Sequence, residues 1–355
     1  MYNKVIRPVL FSFPPESIHR AVAKLLPFLF SIPGVRKLVR RIYLVNDPRL
    51  ERSLFGLKFP TPVGMAAGFD KEAALYNELA DLGFGHVEIG TVTPEGQPGN
   101  PQPRLYRLTD DQALINRMGF NNDGVDAYVK KLKKRIPKVI IGGNIGKNTA
   151  TPNSQAKEDY CICFEKLFHL VDYFVVNISC PNIKDLQKLQ NKEDTVSILM
   201  ALQELNKQKP HPKPVLLKIS PDLNEQQLDE ILEIIEETQL DGIVACNTSS
   251  RRDSLQTDEK LIESIGDGGL SGKPIREKST RTIKYLHRKS GGKIPIIGVG
   301  GIMSPSDAME KLDAGASLVQ VYTGFIYNGP SLAKKINLRL IKNMYSLSNN
   351  FPFFT

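Results

Sequence analysis

With 355 residues, 41% of them hydrophobic, the chain can bury a substantial core and form one large domain or two ordinary ones, which excludes a disordered polypeptide. Its four cysteines, closely spaced only at Cys161 and Cys163, make no disulfide framework, and its five scattered histidines form no HExxH pairing, so a reducing compartment and no metal are expected. The net charge of +9 raises nucleic acid as a partner, but the basic stripe interleaved with aromatics is missing, so none is expected.

The basicity sits at the N-terminus. Residues 1–45 hold eight Lys/Arg (Lys4, Arg7, Arg20, Lys24, Arg36, Lys37, Arg40, Arg41) against the single acid Glu16, and so carry +7 of the +9. "FPPESIHRAVAKLLPFLF" predicts a helix opening at Pro15-Glu16, with Ile18, Val22, Leu25 and Leu29 along one side and Pro27 ending or kinking it. "PGVRKLVRRIY" (33–43) predicts a second, with Val35, Leu38, Val39 and Ile42 on one face and Arg36, Lys37, Arg40 and Arg41 on the other. These apolar runs are too short and interrupted to cross about 30 Å of hydrocarbon, so residues 1–45 are expected to form an amphipathic helical domain lying on a membrane. The alternative, that both helices cap the core of the main domain (46–355), leaves the charge asymmetry unexplained.

From residue 61, short β-branched apolar runs alternate with helical segments: "TPVGMAAG" (61–68), "HVEIGTVT" (86–93), "KVIIGGNIG" (138–146), "YFVVNISC" (173–180), "PVLLKIS" (214–220), "GIVACNT" (242–248), "IPIIGVGGI" (294–302) and "LVQVYTG" (318–324). Between them lie segments such as "NEQQLDEILEIIEETQ" (224–239), with Leu228, Ile231, Leu232 and Ile235 on one face. Continuous apolarity marks strands buried on both sides, and eight β-α units in this length predict a (β/α)8 TIM barrel. Cys161 and Cys163 fall in one of the helices, where residues two apart point away from each other.

Polar and glycine residues gather at the downstream ends of these strands, the face on which sites of this architecture are built: Ala66-Ala67-Gly68-Phe69-Asp70-Lys71, Glu88-Ile89-Gly90-Thr91, Asn144-Ile145-Gly146-Lys147, Asn177 to Asn182, Lys218-Ile219-Ser220 and Asn247-Thr248. The glycines of "GGLSG" (268–272) and "GVGG" (298–301), with Tyr322-Thr323-Gly324, would let backbone N–H groups close on a phosphate. No GxGxxG joins the first strand to its helix and "GGNIGKN" fails the Walker spacing, so neither a Rossmann nor a P-loop nucleotide site is expected. Asn116, Asn144, Asn177, Asn182 and Asn247 form a set of carboxamides that suits a small ring with imide or amide edges, such as a pyrimidine. Lys71 and Lys218 can hold a carboxylate or an electron-rich ring, and Cys180 in "NISCPN" can act as base or nucleophile. With no histidine in these motifs, a Cys-His hydrolase arrangement lacks its partner.

Ten motifs in order, "AAGFDK", "EIGTVTP", "QPGNPQPRLYRL", "INRMGFNN", "NIGKN", "NISCPN", "DGIVACNT", "GGLSGKP", "IIGVGGI" and "VYTGF", resemble the dihydroorotate dehydrogenases over residues 1–340, and "FPPESIH" resembles the membrane-associated, quinone-dependent class 2 branch. The resemblance implies an FMN-containing TIM barrel that oxidises dihydroorotate to orotate in pyrimidine synthesis, a monomer held peripherally on the cytoplasmic face of the cell membrane. It implies FMN contacts at Ala66, Ala67, Gly68, Phe69, Asp70, Thr91, Asn144, Asn177, Lys218, Cys246, Gly272, Gly301, Tyr322 and Thr323. It implies substrate contacts at Lys71, Asn116, Arg117, Met118, Gly119, Phe120, Asn177, Asn182, Asn247 and Thr248, and a quinone tunnel bordered by His19, Arg107 and Tyr322.

Cys180 would be the catalytic base. Serine is typical there in class 2 and cysteine in the soluble class 1, so the chain combines a class 1-like base with a class 2-like N-terminus. Cys246 is a second departure, beside the flavin where threonine is common, and is read as packing. The competing expectation is a class 1-type enzyme that passes electrons to fumarate or a partner protein. "IKDLQKLQNK" (183–192) is expected to form a mobile lid.

Overall fold

All eight apolar runs become strands of one closed parallel barrel in the computed structural model, which describes residues 2–133, 139–179 and 192–350, with side chains described to residue 344. The strands are β1 (Val63–Asp70), β2 (His86–Val92), β3 (Ile140–Ile145), β4 (Tyr173–Asn177), β5 (Val215–Ile219), β6 (Gly242–Ala245), β7 (Ile296–Val299) and β8 (Leu318–Val321), each paired with its neighbours in chain order and β8 closing on β1. A helix follows each strand, and the run predicted at 224–239 is the helix Glu225–Thr238, opened by a reciprocal capping box between Asn224 and Gln227.

The strand period of two sorts side chains into two cores. Outward-facing Val87, Ile89, Val176, Leu217 and Ile243 pack under the helices, while Ala66, Val175, Leu216, Val244, Ile297 and Leu318 fill the barrel lumen. The upstream end of the lumen is stoppered by a two-stranded hairpin, Arg52–Leu54 with Leu57–Phe59, whose buried Phe59 lies edge-on to His86 at 5.3 Å between ring centroids. A side chain at Gly64 would overlap the His86 ring, so the glycine makes the room this imidazole needs inside the barrel. Toward the downstream rim the inward positions turn polar: Glu88, Asn144, Asn177, Lys218 and Gln320 are all buried.

Two insertions roof that rim. Leu105–Leu108 and Ala113–Asn116, between β2 and its helix, join Gly269–Gly272, between β6 and its helix, in a three-stranded antiparallel sheet. The eight apolar runs predict only the barrel strands, and this roof is an addition to them.

At the N-terminus, α1 (Pro15–Ser31) runs on through Pro27 and α2 (Val35–Tyr43) follows. The four basic residues expected together on one face of α2 divide between two environments. Arg36 and Arg40 turn inward as ion pairs with Glu78 and Asp81 of the helix Tyr76–Asp81, the Arg36 Nε to Asp81 Oδ2 distance being 2.9 Å, because these two acids lie under α2. Ala23, Leu26, Val39 and Tyr43 pack on the barrel core, and Leu25, Phe28, Leu29, Ile32, Leu38 and Ile42 stay exposed beside Lys37 and Arg41. Arg104 ties α1 to the rim, its Nη2 2.8 Å from Glu16 Oε1. Burial raises the Glu16 carboxyl, but the hydrogen bonds from Arg104 and Arg20 outweigh it and hold the group down at about 2. Among the described residues no helix is long and apolar enough to cross a membrane.

Candidate active site

Where the barrel strands end under the roof, a cavity is walled by seven of the eight strand ends and by both insertions. One end of it is glycine-lined. Gly300 and Gly301, at φ +115° and +72°, follow β7, and Tyr322, Thr323 and Gly324 follow β8 at the start of the helix Thr323–Asn328. Gly301 passes so close to the helix Arg276–Lys289 that an added Cβ would lie 2.5 Å from Arg276 Cβ and 2.6 Å from its backbone nitrogen. Gly272 and Ser271 face this end from the roof, with Ser271 Oγ 2.8 Å from Thr323 Oγ1. Converging backbone and hydroxyl groups with no acid among them fit a phosphate.

The floor is a hydrogen-bonded set drawn from different strands. Thr91 Oγ1 donates to Asn144 Oδ1 at 2.5 Å, Asn177 Nδ2 donates to Thr91 Oγ1 at 3.0 Å, and Asn247 Nδ2 donates to Asn177 Oδ1 at 3.1 Å. Thr91, Asn177 and Asn247 line the cavity, as do Ala66, Ala67 and Gly68, while Asn144 sits one layer below and supports them. Lys218 also lines it, with only 5% of its side chain exposed.

Gln320 was not singled out from the sequence, and Glu88 only as part of the strand-end run Glu88 to Thr91, with no role assigned. Glu88 is wholly buried, accepting from Asn144 Nδ2 at 2.7 Å and Lys218 Nζ at 3.1 Å on one oxygen and from Gln320 Nε2 at 2.9 Å on the other. The signal was present: an acid in "HVEIGTV" and an amide in "LVQV", both in strands enclosed on two sides, must be paired or functional.

Over the floor, Lys71, Asn116, Met118, Gly119, Phe120 and Thr248 complete the wall. Lys71 Nζ donates to Asn121 Oδ1 at 3.0 Å, and Asn116 Nδ2 to the Gly269 carbonyl at 3.1 Å, which pins the two insertions together. Arg117 differs from its neighbours: its guanidinium donates to the Ile265 carbonyl at 2.7 Å and the residue does not line the cavity. Asp70 is likewise turned to structure, capping the next turn by accepting from the Ala74 and Leu75 N–H groups at 2.7 and 2.9 Å, with burial pushing its carboxyl up to about 6. Cys246 lies at the cavity wall, its thiol pushed up to about 12 by burial. Cys180, Asn182 and all of the expected lid but Lys192 lie outside the described residues.

Toward the N-terminal helices the wall becomes apolar, with Leu105, Leu114 and Met118 packed around Tyr322. Phe69 stands behind the wall, its ring 5.7 Å from Tyr322 and 5.0 Å from His19 on α1, so an aromatic series joins the cavity to the N-terminal segment. Burial lowers the His19 imidazole below its ordinary value and raises the Tyr322 phenol to about 12, so both are neutral near pH 7. Arg107 caps this side, donating to the Phe11 and Phe13 carbonyls at 3.1 and 2.8 Å and lying over the Phe11 ring.

The family model described as dihydroorotate dehydrogenase matches residues 49–344. The dihydroorotate dehydrogenase (quinone) of Christiangramia forsetii is 54% identical over 342 residues, covering 96% of this chain and 99% of the relative. That of Synechococcus sp. (strain JA-3-3Ab) is 45% identical over 363 residues, covering 99% and 94%. Among solved structures, the crystal structure of DHODH in complex with ferulenol from Eimeria tenella superposes with a TM-score of 0.79 at 35% identity, covering 92% of this chain and 96% of that one.

Proposed function

The chain belongs to the dihydroorotate dehydrogenase family, and on that premise we propose that it oxidises dihydroorotate to orotate through FMN held in the rim cavity and delivers the electrons to a membrane quinone. The observation that carries this is the joining, in one cavity, of a glycine-lined anion end, an amide-rich floor and an aromatic route to an amphipathic N-terminus.

The residues present fit the flavin. The backbone at Gly300, Gly301, Thr323 and Gly324 would take its phosphate, and Thr91, Asn177, Lys218 and Gln320, all at the cavity wall, the edge of its ring. When bound, the flavin supplies a hydride acceptor. The chain's own residues do the rest. Lys71 pairs with the substrate carboxylate, and Asn116, Asn177, Asn247 and Thr248 read the ring amides, each carboxamide able to donate and accept. Cys180 takes the proton from C5, a thiol being nearer ionisation at pH 7 than a hydroxyl. Lys218 offsets negative charge at the cavity floor.

Leu25, Phe28, Leu29, Ile32, Leu38 and Ile42, with Lys37 and Arg41 among them, form the face that rests on an anionic membrane surface, holding a monomer on the cytoplasmic side. His19, Phe69, Arg107 and Tyr322 then border the path by which quinone reaches the cavity. The test is deletion of residues 1–45. Anaerobic dihydroorotate should still bleach the flavin absorbance of the truncated protein while quinone reduction is lost. Unimpaired quinone reduction would overturn the assigned role of the N-terminus, and a colourless full-length protein would overturn the flavin.

A further inference from the structure

We propose that Glu88 is a positioning residue for this reaction: its carboxylate, fixed from three other strands, holds the Lys218 ammonium in place at the cavity floor and thereby sets the electron affinity of the flavin. The inference rests on the reading of the cavity as an FMN site.

Glu88 projects into the lumen from β2, and its partners come from β3 (Asn144), β5 (Lys218) and β8 (Gln320). In the closed barrel β5 lies three strands away from β2, so the Lys218 to Glu88 contact spans the lumen and does not run along the sheet. Among the described residues Lys218 is the only cation within pairing distance of Glu88, and Glu88 the only carboxylate within pairing distance of Lys218. With side-chain exposures of 5% and 0%, neither charge has water to fall back on. The carboxylate's remaining capacity is met by Asn144 and Gln320, which is the condition under which a buried ion pair can hold.

A buried pair of this kind seldom adds stability over an apolar filling, so its presence directly under the cavity points to function. Without Glu88 no carboxylate among the described residues fixes the ammonium at the cavity floor, and its flexible four-carbon stem lets it swing away. Asn144 extends the control outward, because its carbonyl also accepts from Thr91 and Asn177, which line the cavity.

The experiment is the midpoint potential of bound FMN in wild type, Glu88→Gln, Lys218→Met and the double variant. A glutamine keeps the shape of Glu88, and its carbonyl can still accept from Asn144 Nδ2 while the counter-charge to Lys218 is lost. Glu88→Gln should move the potential negative, in the same direction as Lys218→Met, and the double variant should move it no further than Lys218→Met alone. If Glu88→Gln fails to fold, Glu88→Asp, one methylene short of Lys218, should give a smaller negative shift. A wild-type protein that binds FMN while either Glu88 variant leaves the potential unchanged or moves it positive overturns this inference alone. A wild-type protein that takes up no FMN overturns the reading of the cavity and the inference together.

Discussion

Gly301→Ala tests whether the backbone after β7 is built for close approach to a ligand. At φ +72° an alanine meets the left-handed penalty of about 1–2 kcal/mol, and its methyl, 2.5 Å from Arg276 Cβ, forces a backbone shift of the kind that costs roughly 1–3 kcal/mol. The sum is about 2–5 kcal/mol. Gly291→Ala is the control, because its φ is +60° but nothing lies within 4 Å, so only about 1–2 kcal/mol is lost. At roughly 2 °C per kcal/mol for a chain of this size, thermal unfolding should fall by about 4–10 °C in Gly301→Ala and about 2–4 °C in the control. The ratio of flavin to protein absorbance should drop in Gly301→Ala alone, because the displaced backbone is the part that would face the phosphate. A Gly301→Ala protein that matches Gly291→Ala in both readings would refute the argument.

Asp81→Ala removes the acceptor of Arg36 and Arg40 and loosens α2, at a cost of about 1–2 kcal/mol for two partly exposed pairs; KM for quinone should rise while flavin bleaching by dihydroorotate keeps its rate, and an unchanged KM would count against docking through these pairs. His86 is buried with its imidazole pushed down to about 3, so below about pH 6.5 the unfolded chain takes up a proton that the folded one refuses, and stability falls with acid until about pH 3. Urea titrations should show wild type losing about 2 kcal/mol more than His86→Leu between pH 8 and pH 5, and parallel losses would contradict a neutral lumen imidazole. Cys180→Ala should abolish turnover and keep FMN content, whereas Cys180→Ser should move the rise of activity to higher pH; near wild-type turnover in Cys180→Ala would remove the thiol from the mechanism.

The barrel was legible because strands enclosed on both faces must be continuously apolar, and eight such runs have few other ways to bury themselves. The downstream polar residues were legible for a related reason: Asn177, Lys218 and Asn247 interrupt that apolarity at matching positions. Glu88 and Gln320 interrupt it too, but in mid-strand, and only the period of two, which turns both inward, shows that they meet Lys218 across the lumen. The roof escaped notice because Leu105–Leu108, Ala113–Asn116 and Gly269–Gly272 are four residues each and one of them pairs from more than 150 positions away in the chain. Arg117 illustrates another limit, since a motif carries a residue to the right loop but not the direction of its guanidinium. In α2 the helical period is visible in the sequence, yet which basic residues face outward depends on Glu78 and Asp81, about 40 residues later in the chain.

Steady-state oxidation of dihydroorotate by the purified full-length protein, with a quinone analogue, fumarate and NAD compared side by side, tests the account most directly. Rapid turnover with the quinone and negligible turnover with the other two is the expected result. Turnover with fumarate equal to or above that with quinone would contradict it.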